Sequence, residues 1–212
     1  MKTIFLIRHS KPLNSNNLLF DNVINKQEQN EKIPLSKEGE ELAYKMALNY
    51  FNGNINYLWS SSYERTISTA KYIALLNNIS INISPLFNER KLGDTTNLNE
   101  EFWLTQLQDE SAPAPNGESQ REVRSRMLKG LYNILDSIED NSKVAIVTHA
   151  TALTFLLLNW CELKKATLEG KKRWITFNNK DVINGSFSTP EIFRLDFDNN
   201  KLIDITRVLI KE

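Results

Sequence analysis

A single cysteine, Cys161, leaves this 212-residue chain without an intrachain disulfide and without a thiolate zinc site. Cys161 follows an apolar run and reads as a buried small hydrophobe. Net charge is missing as well. Lys plus Arg and Asp plus Glu each total 26, so no global field favours nucleic acid or a membrane surface. The one local basic stretch, Lys164, Lys165, Lys171, Lys172 and Arg173, reads as a solvated loop or helix face, with a small role toward an anionic substrate as the alternative. Long hydrophobic runs are also absent. Ile4–Ile7 is too short for a signal-peptide core and is interrupted by Arg8, and Ala152–Leu158 is too short to span a bilayer. These absences predict a reduced, cytoplasmic setting with no membrane partner. Asn is abundant but forms no low-complexity tract, which marks it as loop content or compositional bias. Histidine is scarce: the chain has two, His9 and His149.

The apolar pattern predicts strands alternating with helices. Thr3–Ile7 is a continuous branched run suited to a strand buried on both faces. Pro12–Ile33 is polar and without period, a long loop. Ser36 reads as the N-cap of a helix bearing Leu42, Ala43, Met46, Ala47 and Tyr50. Ile55–Trp59 predicts a second strand, Ser62 an N-cap for the helix with Ile67, Ala70, Ile73 and Ala74, and Ile79–Ile83 a third, edge-like strand. Pro85–Gly117 is an irregular, cap-like insertion with a short helix around Phe102, Trp103 and Leu107. Ser119 and Glu122 form a capping-box pattern ahead of a long helix carrying Val123, Met127, Leu131, Leu135 and Ile138. Val144–Val147 is a buried strand and His149–Trp160 a buried helix. Phe187–Phe197 and Leu202–Ile210 flank the turn Asp198-Asn199-Asn200 as an antiparallel pair. The expected architecture is a single α/β domain over residues 1–212. It has three layers, α/β/α, around a mostly parallel sheet with terminal antiparallel strands.

Both histidines fall at predicted strand ends, where ligands gather in open α/β sheets. Arg8-His9 sets a fixed cation beside an imidazole. The guanidinium fork suits phosphate, and neighbouring cations favour the neutral, nucleophilic ring. Ser10 adds a hydroxyl. Alone, such a pair is more often structural or incidental. Ser60, Ser61 and Ser62 precede a helix with Arg65 in its first turn. This is a natural anion site, although the serines would serve equally as caps. Arg65 opposes the helix dipole, which calls for a partner: phosphate, Glu64 or another carboxylate. Glu89, between Asn88 and Arg90, is either an ordinary surface ion pair or, beside a phosphate whose like charge raises its pKa, a general acid. His149 either caps its helix or donates to the same anion.

Taken in order, these segments resemble the histidine phosphatase superfamily, which contains the cofactor-dependent phosphoglycerate mutases. Leu6-Ile7-Arg8-His9 is similar to its strand-one signature, and Leu35-Ser36-Lys37-Glu38-Gly39 to its following helix start. Ser60-Ser61 through Arg65 and Thr69-Ala70 resemble its second Arg motif, and Asn88-Glu89-Arg90 with Gly93 its acid segment. Gly117-Glu118-Ser119 and Val147-Thr148-His149 complete the match over nearly the whole chain. Departures lie at Ser10, Lys11-Pro12, Ser62, Ala150 and Thr151. None removes an expected catalytic side chain, though Pro12 fixes the backbone where a substrate contact is often found.

The resemblance implies a metal-independent phosphomonoester phosphatase with no cofactor, acting on a small phosphorylated metabolite. His9 would be the nucleophile, Glu89 the general acid/base, and Arg8, Ser10, Ser61, Arg65, His149 and Ala150 the phosphate or substrate contacts. Two histidines without an accompanying carboxylate motif do not make a zinc site. Phosphoglycerate mutase is the alternative, placed second because the insertion at 85–117 is modest and has few cations. A non-catalytic phospholigand-binding module is a further alternative. Substrate choice is expected to rest on Pro12–Ile33, Leu92–Asn116 and the residues after His149. A homodimer is a family-level expectation only.

Overall fold

The strand predicted at the N-terminus runs Lys2–Arg8 (β1) and occupies the centre of a six-stranded sheet in the computed structural model, which describes residues 1–14, 25–94 and 101–210. Its core side chains Ile4, Leu6 and Ile7 are fully buried because both sheet faces are covered. In chain order the helices are Lys26–Glu31 (α1), Lys37–Tyr50 (α2), Glu64–Asn77 (α3), Phe102–Gln108 (α4), Gln120–Ser137 (α5) and Ala150–Leu157 (α6). The remaining strands are Tyr57–Ser60 (β2), Ile81–Ile83 (β3), Lys143–Thr148 (β4), Glu162–Thr167 (β5), Lys172–Phe177 (β6), Lys180–Gly185 (β7), Glu191–Asp198 (β8) and Lys201–Val208 (β9).

The large sheet has the order β3-β2-β4-β1-β8-β9. β3, β2, β4 and β1 are mutually parallel, while β8 and β9 add antiparallel strands on the far side of β1. Ile7 pairs with Val147 and Arg8 with Thr148. That register brings His9 and His149, the residues that follow, to one sheet edge.

One apolar cluster joins α2 and α3 to the sheet through Met46, Ala47, Phe51, Ala70 and Ile73. The other lies on the opposite face, where α5 and α6 pack through Val123, Met127, Leu131, Leu153, Phe155 and Leu156. The result is the expected three-layer α/β/α fold. α2 starts where expected, with the Ser36 side chain accepting from Gly39 N–H at 3.0 Å. Gly39 is needed for a second reason: a Cβ there would collide with the Lys11 carbonyl oxygen. The Ser119–Glu122 capping box forms and opens α5.

Several boundaries differ from the sequence expectation. The loop 12–33 contains α1, capped by Asn25 and Glu28 in a capping box, while part of it (15–24) lies outside the described residues. Ser62 does not cap α3. The cap position is Tyr63, without a side-chain bond, and Ser62 instead donates its N–H and hydroxyl to Asn88 Oδ1, both at 2.9 Å. The helix after His149 stops at Leu157 rather than Trp160.

The largest departure is a second, three-stranded antiparallel sheet, β5-β6-β7, where a solvated basic loop or helix was expected. Its inner residues Ile175, Phe177, Val182 and Ile183 join the α5–α6 core. Arg173 on β6 is buried with them, 5% exposed. Alternation along β6 explains this: Arg173, Ile175 and Phe177 share the inner face. Cys161 is half-buried, and burial pushes its thiol up to about 12.

Candidate active site

Arg65 is the hub that joins the two histidines. It enters from the first turn of α3 with 5% exposure. Its Nε donates to His9 Nε2 at 3.2 Å, its Nη2 to His149 Nδ1 at 3.2 Å, and its Nη1 to the Asn30 carbonyl at 2.5 Å. The partner its unfavourable place on the helix called for is therefore a pair of imidazole lone pairs, not Glu64. The two rings lie with centroids 5.2 Å apart.

These contacts fix both tautomers, because a guanidinium can only donate. At His9, Nε2 accepts from Arg65, so Nδ1 carries the hydrogen and donates to the Ser10 carbonyl at 2.8 Å. At His149, Nδ1 accepts from Arg65, so Nε2–H donates to Ser61 Oγ at 2.8 Å. Ser61 Oγ–H in turn reaches Thr66 Oγ1 at 2.7 Å, and Thr66 donates to the Tyr63 carbonyl at 2.6 Å. The Tyr63 ring packs edge-on against His149, with centroids 4.6 Å apart. Burial above all, and then Arg65, hold both histidines well below the usual imidazole range. Both rings are neutral, and His9 Nε2 presents a lone pair at the head of the site.

Glu89 is carried to the same place by a tightly held segment. Its Oε1 accepts from Ala152 N–H at 2.9 Å and from Arg90 N–H at 2.9 Å, and its Oε2 from Thr151 N–H at 3.3 Å. The carboxylate thus occupies the positive end of α6, one turn from His149. Arg126 of α5 secures the segment from behind. It donates to the carbonyls of Leu86, Asn88 and Glu89 at 2.8, 2.9 and 3.2 Å, and its Nε pairs with Glu118 at 2.7 Å. Thr148 adds a bond to the Phe87 carbonyl at 2.7 Å. Arg126 was not singled out in the sequence: Glu118 lies eight residues upstream, but the carbonyls it holds lie 37 to 40 residues upstream.

The other expected residues divide into two groups. Arg8 reaches the site. It lines a cleft of about 720 Å³ together with His9 and Arg65, and Lys11, Pro12 and Glu38 contribute to the walls. Its Nη1 donates to the Ser188 carbonyl at 3.0 Å, and its buried Nε has no hydrogen-bond partner among the described residues. Ala150 opens α6 directly beside His149. Ser10 and Ser61 have their hydroxyls committed within the fold. Ser10 Oγ donates to the Gly39 carbonyl at 2.7 Å and its N–H to Thr69 Oγ1 at 3.0 Å, while Ser61 serves His149. In this state they shape the site rather than offer free donors.

Arg173, part of the stretch read as a solvated face with a small role toward an anionic substrate as the alternative, is buried instead. Burial pushes the Arg173 guanidinium down to about 10, and its charged neighbours are Arg8 and Glu89. Among the described residues, no cluster of three or more His, Cys, Asp or Glu side chains could hold a metal ion. None of the described helices is long and apolar enough to cross a membrane.

A family model described as the histidine phosphatase superfamily (branch 1) matches residues 4–175. The chain belongs to this superfamily. Relatives named probable phosphoglycerate mutase GpmB, from Erwinia tasmaniensis and Yersinia pestis, are 29% and 30% identical over 166 residues, 74% of this chain and of theirs. The fold is similar to that of a mycobacterial glucosyl-3-phosphoglycerate phosphatase in complex with inorganic phosphate. That match has a TM-score of 0.69 and 17% identity and covers 99% of this chain and 96% of the other. It also resembles the α-ribazole phosphatase from Shigella flexneri, with a TM-score of 0.63, 18% identity and the same coverage. At these identities the structural matches speak for the fold alone.

Proposed function

We propose that the chain is a phosphomonoester phosphatase that works through a phosphohistidine on a small phosphorylated metabolite. The observation that carries this is the arrangement at Arg65: one buried guanidinium aimed at His9 Nε2 and His149 Nδ1, with both rings neutral. An arriving phosphate takes the place of these lone pairs on Arg65, leaves His9 Nε2 facing phosphorus and gains donors from Arg8 and Arg65, and from His149 once the anion's field puts a proton on Nδ1. Preorganised cations of this kind stabilise charge on the equatorial oxygens in the transition state.

The reaction then balances as two displacements. His9 Nε2 bonds to phosphorus as the bond to the leaving alcohol oxygen breaks, and Glu89 gives that oxygen its proton. Glu89, now a carboxylate, takes a proton from water. The water oxygen bonds to phosphorus, the P–N bond breaks, and phosphate and free His9 result.

Incubating the protein with a panel of phosphomonoesters, with trapping of acid-labile phosphate on the chain, tests the reading. His9→Ala should abolish turnover and trapping together, and retained turnover would remove His9 as nucleophile. EDTA should leave the rate unchanged; a loss restored by added metal would overturn the metal-independent part.

The names of the curated relatives favour a second reading, phosphoglycerate mutase. It places heavier demands on the insertion, which must retain a doubly phosphorylated intermediate. The basic side chains between residues 85 and 117 are Arg90 and Lys91, and Arg90 is committed to Gln106. Interconversion of 2- and 3-phosphoglycerate dependent on a bisphosphate primer, faster than release of inorganic phosphate, would establish the mutase instead.

A further inference from the structure

Tyr63 is a buried aromatic side chain that the phosphoryl-transfer scheme does not use. It is 1% exposed and sits at the cap position of α3, where its side chain makes no capping bond. The backbone around it is held on both sides. Its N–H donates to Ser61 Oγ at 3.3 Å, and its carbonyl accepts from Thr66 N–H at 3.0 Å and from Thr66 Oγ1 at 2.6 Å. These bonds fix the turn from which the ring projects.

Two of the groups that would meet phosphate rest against this ring. The Arg65 guanidinium carbon lies 4.9 Å from the ring centroid, within the range of a cation–π contact. The His149 ring meets it edge-on, with centroids 4.6 Å apart. At the far end, the phenol oxygen accepts from Gln27 Nε2 of α1 at 2.6 Å. α1 has no buried residue of its own, and another of its ties to the site is the Asn30 carbonyl on Arg65 Nη1.

A ring suits this position for a physical reason. Arg65 is buried, and its hydrogen-bond partners among the described residues are two imidazole nitrogens and a carbonyl. Burial lowers the guanidinium's pKa, and the Glu89 charge acts on it with no hydrogen bond between them. A carboxylate in contact would stabilise the cation, but it would also neutralise the charge and repel an incoming phosphate. A ring face attracts the cation while carrying no net charge. The N–H edge stays available for the anion, and the long side chain loses its freedom before the anion arrives.

We propose that Tyr63 is a positioning residue, whose ring holds the Arg65 guanidinium and the His149 imidazole as one preorganised unit for the phosphoryl group. The proposal rests on the phosphatase reading and adds to it a residue that acts through Arg65 and His149. The hydroxyl has no part in this role; it docks α1.

Inorganic phosphate affinity and steady-state kinetics, referred to the folded fraction, test it. Tyr63→Leu removes the ring and should weaken phosphate binding about tenfold, the size of one desolvated cation–ring contact. It should lower kcat for a phosphomonoester by a similar factor, because the same fork must follow the phosphoryl group into the transition state. Tyr63→Phe keeps the ring and should stay within about threefold of the wild type in both. A merely structural role would cost stability and leave both values unchanged in the folded molecules. Unaltered phosphate affinity in Tyr63→Leu, or Tyr63→Phe as impaired as Tyr63→Leu, overturns the proposal. Relaxation of the Arg65 Nε–H resonance in the wild type decides the matter even if Tyr63→Leu fails to fold. That group should be ordered without ligand, and phosphate should shift its resonance without further ordering; a side chain that is mobile until phosphate binds defeats the proposal. If the wild type binds phosphate but hydrolyses no phosphomonoester, the phosphatase reading fails separately, while the affinities and the Arg65 relaxation still decide the role of Tyr63.

Discussion

At the scale of single residues, the site depends on which nitrogen of each histidine holds its hydrogen, and this is set by Arg65 on one side of each ring and by a partner within the fold on the other. His149 is the clearest case. Its Nδ1 must accept from Arg65, so its Nε2–H must have an acceptor in a dry interior, and Ser61 supplies it through the relay to Thr66 and the Tyr63 carbonyl. Ser61→Ala strands that N–H and removes the preference for the tautomer that accepts from Arg65. The expected costs are about 1–3 kcal/mol of stability and about tenfold in kcat/KM, equivalent to about 1.4 kcal/mol of transition-state binding. Denaturant unfolding reads the first, and the nitrogen chemical shifts of His149 together with kinetics read the second; an unchanged tautomer would refute the relay. Arg8, His9, Arg65 and His149 were legible in the sequence because each sits at a strand end or first helical turn, and Glu89 because it stands in a recognisable run with Asn88 and Arg90. Arg126 and Arg173 were not. The carbonyls that Arg126 holds lie 37 to 40 residues away, and the basic composition around Arg173 masks the alternation that turns its side chain inward.

Among the elements, asparagine does what glycine does in most chains. With seven glycines in 212 residues, left-handed backbone positions fall to Asn: residues 78, 116, 141, 178, 179, 199 and 200 all have positive φ. Asn tolerates this region better than other side-chain-bearing residues. Two hairpins use the same device. Phe177 pairs with Lys180 around Asn178-Asn179, and Asp198 pairs with Lys201 around Asn199-Asn200. Two consecutive positive-φ residues are what a type I′ turn requires. The second hairpin was readable from its Asp-Asn-Asn turn between apolar runs. The first carries a nearly identical signal, Phe-Asn-Asn-Lys against Asp-Asn-Asn-Lys, but it lies beside the lysine-rich stretch that suggested a solvated face. The β5–β7 sheet was lost with it. Both Asn200→Ala and Asn200→Gly lose the side chain's bonds to Asp136 and Lys2, but the Ala variant should be less stable than the Gly variant by about 1–2 kcal/mol, the cost of a left-handed residue with an ordinary Cβ. Equal denaturant midpoints for the Ala and Gly variants would show that the left-handed conformation is not what Asn200 provides.

For the molecule as a whole, bringing two parallel strand ends together buries both histidines among cations, and that has a consequence for stability in acid. In the unfolded chain each imidazole takes up a proton near pH 6.5. In the fold, burial and the Arg65 charge hold both well below that value. Between the folded and unfolded values the unfolded chain therefore binds more protons, so stability falls as the pH drops below about 6.5. The slope contributed is at most about 1.4 kcal/mol per histidine per pH unit. Above pH 6.5 both states are neutral and the pair contributes no slope. Carboxylates add their own dependence at lower pH, so the histidine share has to be isolated by substitution. Unfolding free energies measured between pH 5 and 8 should show a shallower fall below pH 6.5 for His9→Asn and for His149→Asn than for the wild type. Bound inorganic phosphate should stabilise the wild type by mass action, and Arg65→Met should remove that gain because it deletes the donor common to both rings. If each single histidine variant kept the full wild-type slope, the two rings would not be the groups that resist protonation in the fold, and the neutral lone pair on His9 that the chemistry needs would lose its support.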